Sequence, residues 1–180
     1  MLKYYKLDEK VKDPTFGTEG AACFDMHVHL PTVIAGATDN FITVYNAENE
    51  KVERYYYQKA RGHADFVTCV QILPNERALI PTGLIFDIPS GYSMRIHPRS
   101  STALKKGFIC PNSSGVIDED YYHETFMMVM NVTSKPQWIE NGERLCQAEL
   151  VKRLDYSIEE TIMEPSQTTE RVGGFGSTGK

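Results

Sequence analysis

The densest group of residues that could do chemistry is the stretch "PRSSTALK", which combines a guanidinium group, two hydroxyls and the start of a short helix. Arg99 carries the guanidinium, Ser100 or Ser101 is expected to cap the helix, and Gly107 is expected to stop it. Guanidinium groups, hydroxyls and the N–H groups of a helix start all bind oxyanions. The stretch therefore predicts an oxyanion or phosphate site, although a capped surface helix beside an ordinary arginine would give the same pattern.

A second stretch, "NSSGVIDEDYYHE", places two carboxylates close together. Val116 and Ile117 are expected to hold a strand or hairpin edge in the core, so that Asp118 and Asp120 project from the same side of it. Two carboxylates on one side can orient a water molecule or hold a cation. A plain acidic hairpin turn is the alternative interpretation.

Two other patterns carry weaker signals. "ENGERLCQAEL" predicts a glycine turn that leads into a strand carrying Arg144 and Gln147. "MHVHLPTV" puts His27 and His29 on one strand face, as in a jelly-roll metal site, but no acidic residue follows at the spacing that such a site needs. The two histidines are therefore interpreted as ordinary surface or core residues.

The last ten residues, "RVGGFGSTGK", match the first positions of the phosphate-binding P-loop pattern. A P-loop needs a strand before it and a helix after it, and the sequence shows no helix after this stretch. The stretch is therefore expected to bind phosphate as a free glycine-rich tail.

The elements that must position these residues are predicted to be mostly strands. The clearest β-rich runs are residues 78–88, residues 92–97, "ETFMMVMNVT" and "ERLCQAELVKRL". Short strands with frequent turns favour an all-β sandwich, barrel or jelly roll. Residues 32–73 are the least regular part, and "ITVYNAENEKVERYYY" within them predicts a β-hairpin around a polar turn at 47–50. We expect this hairpin to pack against the body or a neighbouring subunit, because its tyrosines would face both sides of a strand.

Composition narrows the class of protein. The chain has 180 residues, of which 41% are hydrophobic, and this length suits one domain with appendages. Its net charge of -5 argues against a protein that coats nucleic acid or sits on an anionic membrane. The four cysteines lack C-x-x-C spacing and are expected to be buried, reduced thiols. Without a signal peptide or a run long enough to span a membrane, a cytoplasmic location is expected.

Taken in order, "ACFDM", "PRSSTALK", "NSSGVIDEDY", "NGERLCQ" and "GGFGSTG" resemble the five motifs of the trimeric dUTPases, the deoxyuridine triphosphate nucleotidohydrolases. Five independent motifs in one order make the resemblance specific, because a chance match to all five is far rarer than a match to one. The resemblance implies a single all-β domain over residues 1–170, folded as a jelly roll or distorted β-barrel with a short helix. It also implies an insertion near residues 32–73 and a flexible glycine-rich arm at residues 171–180.

The resemblance implies a role for each site residue. Asp118 would deprotonate the water that attacks the α-phosphorus of dUTP, which gives dUMP and pyrophosphate. Asp25 would bind waters of a Mg²⁺ that the three phosphates chelate. Tyr121 would press under the deoxyribose, Asn112 would read the uracil edge, and Phe175 could lie on the base. The full set of substrate-binding residues would be Arg99, Ser100, Ser101, Asn112, Gly115, Val116, Ile117, Tyr121, Gln147, Arg171, Phe175, Gly176, Ser177 and Thr178.

The resemblance also implies a homotrimer with shared active sites, each closed by the tail of another subunit. Arg171 stands one residue closer to the glycine pair than is usual in the family, which leaves its phosphate contact open. A related dCTP deaminase is an alternative, but it would need a glutamate in the strand at 126–130, which is apolar here. A nucleotide-gated binding module, with the insertion as its protein-contact surface, is another alternative.

Overall fold

The computed structural model describes residues 1–31, 40–62, 65–166 and 168–170, and within them the regular elements are strands except for one short helical turn. The described strands form two five-stranded sheets, a three-stranded sheet and a two-stranded sheet. In chain order they are β1 (Lys3–Lys6), β2 (Thr15–Phe16), β3 (Phe24–His27), β4 (Phe41–Tyr45), β5 (Lys51–Tyr55), β6 (Tyr57–Ala60), β7 (Phe66–Ile72), β8 (Arg77–Pro81), β9 (Leu84–Asp87), β10 (Tyr92–Pro98), β11 (Phe108–Ile109), β12 (Gly115–Ile117), β13 (Phe126–Asn131), β14 (Gln137–Glu140) and β15 (Arg144–Lys152). The all-β fold predicted from the sequence is confirmed.

One five-stranded sheet has the order β12-β10-β15-β3-β2, with every neighbouring pair antiparallel. Strand β15 lies at its centre, and its register sets Gln147 opposite Asp25 on β3 and opposite His97 on β10. Residues of two separate motifs, Asp25 and Gln147, are therefore brought level with one another and with the strand that leads into Arg99.

The other five-stranded sheet has the order β11-β13-β8-β4-β5 and shows clear alternation of side chains. On β13, Met127 and Val129 are buried while Phe126 and Met128 are exposed, because successive side chains point to opposite faces of a strand. On β8, Leu79 is exposed on the same outward face, opposite Met128.

The run predicted at residues 78–88 is not one strand, since it is divided into β8 and β9. Gly83 between them has φ of +69°, and a Cβ there would come within 2.4 Å of a Val11 methyl carbon. The break is therefore caused by a left-handed backbone conformation that glycine adopts readily.

A β-hairpin forms from β4 and β5. The side-chain oxygen of Asn46 accepts a hydrogen bond from the Glu50 N–H at 2.7 Å and closes the turn. Strand β4 also pairs with β8 and buries Ile42 and Val44 in the core. The interpretation of residues 32–73 as an insertion stays a prediction, and residues 32–39 and 63–64 lie outside the described residues.

A single helical turn with π-type hydrogen bonding, Thr102–Lys106, follows β10. Gly107 ends it with φ of 66°, as predicted, and its N–H bonds back to the carbonyls of Ala103 and Thr102. Ser101 stands at the N-cap position, as predicted, but its side chain makes no capping hydrogen bond. Its hydroxyl is therefore not committed to the helix.

The cysteines agree with the expectation of reduced thiols, since all four are free, and Cys69, Cys110 and Cys146 are buried. Burial raises the pKa of the Cys69 thiol, which keeps it protonated at neutral pH. Among the described residues, no helix is both long enough and apolar enough to cross a membrane.

A buried ion pair connects the β4–β5 hairpin to the rest of the domain. Arg54 on β5 bonds Glu76, whose side chain is 3% exposed, and the other carboxylate oxygen of Glu76 accepts the Leu73 N–H at 2.7 Å. The carboxylate thus joins β5 to the turn that leads into β8.

We expect Glu76→Gln to lower the free energy of unfolding by about 2–4 kcal/mol, because it leaves the Arg54 charge without its partner in a largely buried place. Urea unfolding at several protein concentrations measures the change. Asp87→Asn is the control, because the Lys3–Asp87 pair is well exposed and should contribute less than about 1 kcal/mol. Equal effects of the two substitutions would contradict the role of Glu76.

Candidate functional site

The carboxylate of Asp25 lies between two guanidinium groups at one end of the first sheet. Its Oδ1 is 2.7 Å from Nε of Arg99 and its Oδ2 is 3.0 Å from an Nη atom of Arg144. Asp25 is only 7% exposed, whereas the Arg144 side chain is half exposed. The buried carboxylate therefore holds both guanidiniums in place while leaving part of each available to a ligand.

These guanidiniums border a depression of about 280 Å³, which we call the basic depression. Arg99 also donates to the Arg144 carbonyl oxygen at 3.3 Å, so the two arginines stay adjacent. Four cationic side chains and two hydroxyls face this space, which makes it suited to a polyanion. It is lined by Arg99, Ser101, Thr102, Lys105, Lys106, Glu143 and Arg144.

Two sets of hydrogen bonds between separate elements shape the basic depression. Lys106, the last residue of the short helix, donates to a Glu143 carboxylate oxygen at 2.7 Å and to the Trp138 carbonyl at 2.9 Å. Gly142 has φ of +76° and donates its N–H to the Val28 carbonyl, which fixes the turn before β15 against β3. The helix after Arg99 and the turn before Arg144 are thereby held together.

Two more predicted phosphate-binding residues lie near this cluster. Gln147 is directly opposite Asp25 across the β15–β3 pair, and its amide donates to the Pro98 carbonyl at 3.4 Å. Ser100 is exposed between Arg99 and the short helix. The structure therefore brings Asp25, Arg99 and Gln147 to one end of the sheet, with both serines beside them.

The carboxylate of Asp118 lies elsewhere, in a second depression of about 370 Å³, which we call the acidic depression. A hydrogen bond from the Tyr121 N–H to the Asp118 carbonyl closes a turn after β12. The Tyr121 hydroxyl donates to the Glu124 carbonyl at 2.9 Å, which restrains its ring. The walls are formed by Leu79, Val116, Ile117, Asp118, Asp120, Tyr121 and Phe126.

Two details of this turn differ from the sequence prediction. Val116 is 53% exposed and is not in the core, so only Ile117 packs inward. Asp118 and Asp120 do not alternate along a strand, because β12 ends at Ile117 and both carboxylates lie in the turn. They nevertheless share one depression, as the prediction of neighbouring carboxylates required.

Gly115 and Asn112, also predicted as site residues, do not line either depression. Gly115 pairs with Ile96 on β10, and a Cβ there would lie 3.3 Å from the Ile96 side chain. Asn112 is exposed in the turn before β12 and is not part of the wall of either depression. The predicted tail residues Arg171, Phe175, Gly176, Ser177 and Thr178 lie outside the described residues.

The two depressions are far apart within one chain. Asp118 follows Ile117, which pairs with Met94 on β10. Asp25 pairs with Gln147 on β15, and Gln147 pairs with His97 on β10. Asp118 and Asp25 are therefore four residues apart along the strand direction and three strand spacings apart across the sheet. This places their backbones roughly 20 Å apart.

Sequence reasoning placed Arg144 only on a strand and did not include Lys105, Lys106 or Glu143. Their proximity to Arg99 depends on the β15–β3 pairing and on the Lys106–Glu143 contact, which join distant parts of the chain. The four-residue spacing of Ser101 and Lys105 on a predicted helix was the available signal.

The interpretation of His27 and His29 as ordinary surface or core residues stays a prediction. Burial is the main cause that lowers the pKa of His27, so this ring is neutral at physiological pH. Among the described residues, no three histidine, cysteine or acidic side chains are grouped closely enough to hold a metal ion.

The chain is an all-β protein with a basic depression at one end of a five-stranded sheet, whose charge suits a polyphosphate, and a carboxylate depression at the other end. Comparison with known sequences agrees: the sequence model of the dUTPase family matches residues 65–179. The chain belongs to the dUTPase family.

Two curated relatives show the extent of the similarity. The chain is 36% identical over 147 residues to the deoxyuridine 5'-triphosphate nucleotidohydrolase of Rhizobium johnstonii, covering 79% of this chain and 94% of the relative. It is 43% identical over 110 residues to the enzyme of the same name from Brucella melitensis, covering 61% and 69%.

Solved structures show the same fold at lower identity. The chain matches the dUTPase of Streptococcus mutans with a TM-score of 0.60 and 22% identity, covering 86% of this chain and 98% of that one. It matches the Staphylococcus bacteriophage 80alpha dUTPase with dUPNHPP with a TM-score of 0.70 and 18% identity, covering 99% and 98%.

We expect the basic depression to bind inorganic pyrophosphate in the presence of a metal chelator. Arg99→Met should weaken this binding by about tenfold or more, because it removes a charge-assisted hydrogen bond. Titration calorimetry measures the affinity. Arg77→Met is the control, since Arg77 lies on β8 and donates to Asn49 on the hairpin turn; an equal loss in both variants would show that only overall charge matters.

Proposed function

We propose that this protein hydrolyses dUTP to dUMP and pyrophosphate, which keeps uracil out of DNA and supplies dUMP for thymidylate synthesis. The observation that carries the proposal is the Arg99–Asp25–Arg144 cluster, a pre-formed polyphosphate site in a chain that also exposes a catalytic-type carboxylate at Asp118. The names of the curated relatives support the same substrate.

Asp118 is the general base in this proposal. Its carboxylate accepts a proton from a water molecule while the water oxygen forms a bond to the α-phosphorus. The bond from that phosphorus to the oxygen bridging the α- and β-phosphates breaks on the opposite side, and pyrophosphate leaves with the bonding electrons. Asp118 is exposed, so the attacking water can reach it.

The basic depression stabilises the phosphate chain. Arg99 and Arg144 donate to phosphate oxygens, and the hydroxyls of Ser100 and Ser101 and the amide of Gln147 add neutral donors. Because Asp25 already orients the two guanidiniums, little side-chain entropy is lost when the substrate binds.

The residues at this site fit a Mg²⁺ that arrives with the nucleotide. A carboxylate has about four lone-pair positions, and Asp25 uses one for each arginine, so it keeps capacity to accept hydrogen bonds from metal-bound waters. Two guanidiniums beside one carboxylate leave a positive surrounding that disfavours a free cation. When bound, the metal supplies charge neutralisation for the triphosphate.

Tyr121 and Asn112 are the proposed selectivity residues. The hydrogen bond from the Tyr121 hydroxyl to the Glu124 carbonyl restrains the ring, which allows it to exclude a ribose 2′-hydroxyl by contact. Asn112 and the backbone beside it would bond the uracil edge.

The separation of the two depressions supports sites shared between copies. Asp118 would act through the attacking water and Asp25 through a metal-bound water, so bond and hydrogen-bond lengths limit the two carboxylates to about 13 Å apart around one phosphorus. The two backbones are roughly 20 Å apart within one chain, so the short aspartate side chains would have to point straight at each other to approach this limit. A neighbouring copy can bring its Asp118 to the basic depression, and repeating such a head-to-tail contact closes a ring, here a homotrimer.

Exposed apolar surface also supports association. In the extended segment after β15, five large apolar side chains are at least 76% exposed, and surface of this kind is usually covered by another protein chain. These side chains are Leu154, Tyr156, Ile158, Ile162 and Met163. The glycine-rich tail that follows would close over the nucleotide with Ser177, Thr178 and Phe175, as its sequence predicts.

The deaminase alternative receives no support from β13. Strand β13 carries no carboxylate, since its sequence is Phe-Met-Met-Val-Met-Asn. A glutamate that could take part in deamination is therefore missing from the strand where it would be needed.

Asp118→Asn should reduce kcat by about 10² or more and leave the dissociation constant for dUpNHpp within about threefold, because the amide keeps the shape but cannot accept the proton. Pyrophosphate release and calorimetry measure the two quantities. Asp120→Asn, in the same depression, is the matched control and should retain most of the activity. Near-normal turnover by Asp118→Asn would overturn the assignment of the base.

Mixing inactive variants tests the shared site. Asp118→Asn and Arg99→Met chains, unfolded together at equal concentration and refolded, should regain about a quarter of wild-type turnover, because that share of two-chain sites receives both intact halves. At dUTP concentrations far below KM, each variant refolded alone should show about a tenth of wild-type turnover or less. Absence of recovery in mixed oligomers, with mixing verified by mass spectrometry, would contradict the shared site.

A further inference from the structure

The cations of the basic depression differ in how far their charge is already balanced. Arg99 and Arg144 both contact Asp25, and Lys106 contacts Glu143. Lys105 has no ion pair or hydrogen bond within the described part of the chain, although it lines the same space. Its ammonium is therefore available to a ligand without first leaving another partner.

In a neighbouring depression, by contrast, the cations are already paired with a carboxylate. Lys59 and Arg61 face that space, and both contact the same carboxylate, Glu140. These contacts lower the pKa of Glu140, as expected for a carboxylate stabilised in its charged form. Binding an anion beside Lys59 or Arg61 would compete with existing ion pairs, whereas binding one beside Lys105 would not.

The net charge of the basic depression matches its proposed ligand. Arg99, Lys105, Lys106 and Arg144 supply four positive charges and Asp25 and Glu143 two negative ones, which leaves two positive charges. A fully ionised nucleoside triphosphate with one Mg²⁺ carries a charge of about −2. Without Lys105 the net charge of the basic depression would fall from two positive charges to one.

We propose that Lys105 is a further substrate-binding residue, whose ammonium contacts the terminal, β–γ end of the triphosphate. This inference rests on the proposed function for the identity of the ligand. Lys105 lies about one helical turn beyond Ser101, so it extends the line of phosphate donors that begins at Arg99 and the serines. The terminal phosphate carries the most charge, and an exposed, mobile ammonium is attracted to it most strongly.

The test compares ligands that differ only in their phosphates. With the Lys105→Met protein, the affinity for dUpNHpp should fall by about tenfold, because a charge-assisted contact is lost, while the affinity for dUMP stays within about twofold of wild type. The KM for dUTP should rise by about the same factor with kcat within about threefold. Lys105→Arg keeps the charge and should restore most of the dUpNHpp affinity.

Two controls separate this role from others. Lys51→Met removes one exposed charge on the hairpin turn and should leave both affinities unchanged. Lys106→Met breaks the contact with Glu143 and should lower thermal stability, whereas Lys105→Met should not. These controls distinguish a direct phosphate contact from overall charge and from structural support.

The outcomes are distinct. The role of Lys105 would be overturned if Lys105→Met weakened the binding of dUMP and dUpNHpp equally, or weakened neither. The proposed function would then remain intact as long as the wild-type protein hydrolyses dUTP. Failure of the wild-type protein to hydrolyse dUTP would overturn the proposed function instead. In that case, unchanged binding of inorganic pyrophosphate by Lys105→Met would overturn the phosphate contact as well.

Discussion

The contact of one buried carboxylate with two guanidiniums is the interaction on which the site depends. Asp25 lies on β3, Arg99 follows β10 and Arg144 begins β15, so the carboxylate joins three strands of one sheet at a single point. A lone buried carboxylate would be costly, and two exposed arginines would be mobile. Together they form a rigid cationic surface whose orientation is set before a ligand arrives.

The same sheet explains why the chemistry is divided. Strands β10 and β15 carry the proposed phosphate-binding residues at one end, and β12 places Asp118 towards the other end. A rigid sheet cannot bend enough to bring its two ends to one phosphorus. The separation makes association of copies a condition of the proposed reaction, and it couples activity to assembly.

The hairpin of β4 and β5 is part of the folded body, because β4 pairs with β8 and Arg54 contacts the buried Glu76. Tyr55 at the end of β5 and Tyr57 at the start of β6 are exposed and flank the partly buried Tyr56, so the aromatic run is divided between core and surface. A role of residues 32–73 in contacting a protein partner stays a prediction, as does the cytoplasmic location.

The sequence by itself determined the β-rich character, the stop at Gly107 and the short motifs, because turn residues, alternation and local spacing are properties of neighbouring residues. It did not determine the break at Gly83, the exposure of Val116 or the meeting of Lys106 with Glu143. Those features arise from packing between segments far apart in the chain, such as Gly83 against Val11. Only the tertiary structure decided that Asp25, Arg99 and Arg144 meet while Asp118 stays apart, because strand register between distant segments sets both distances.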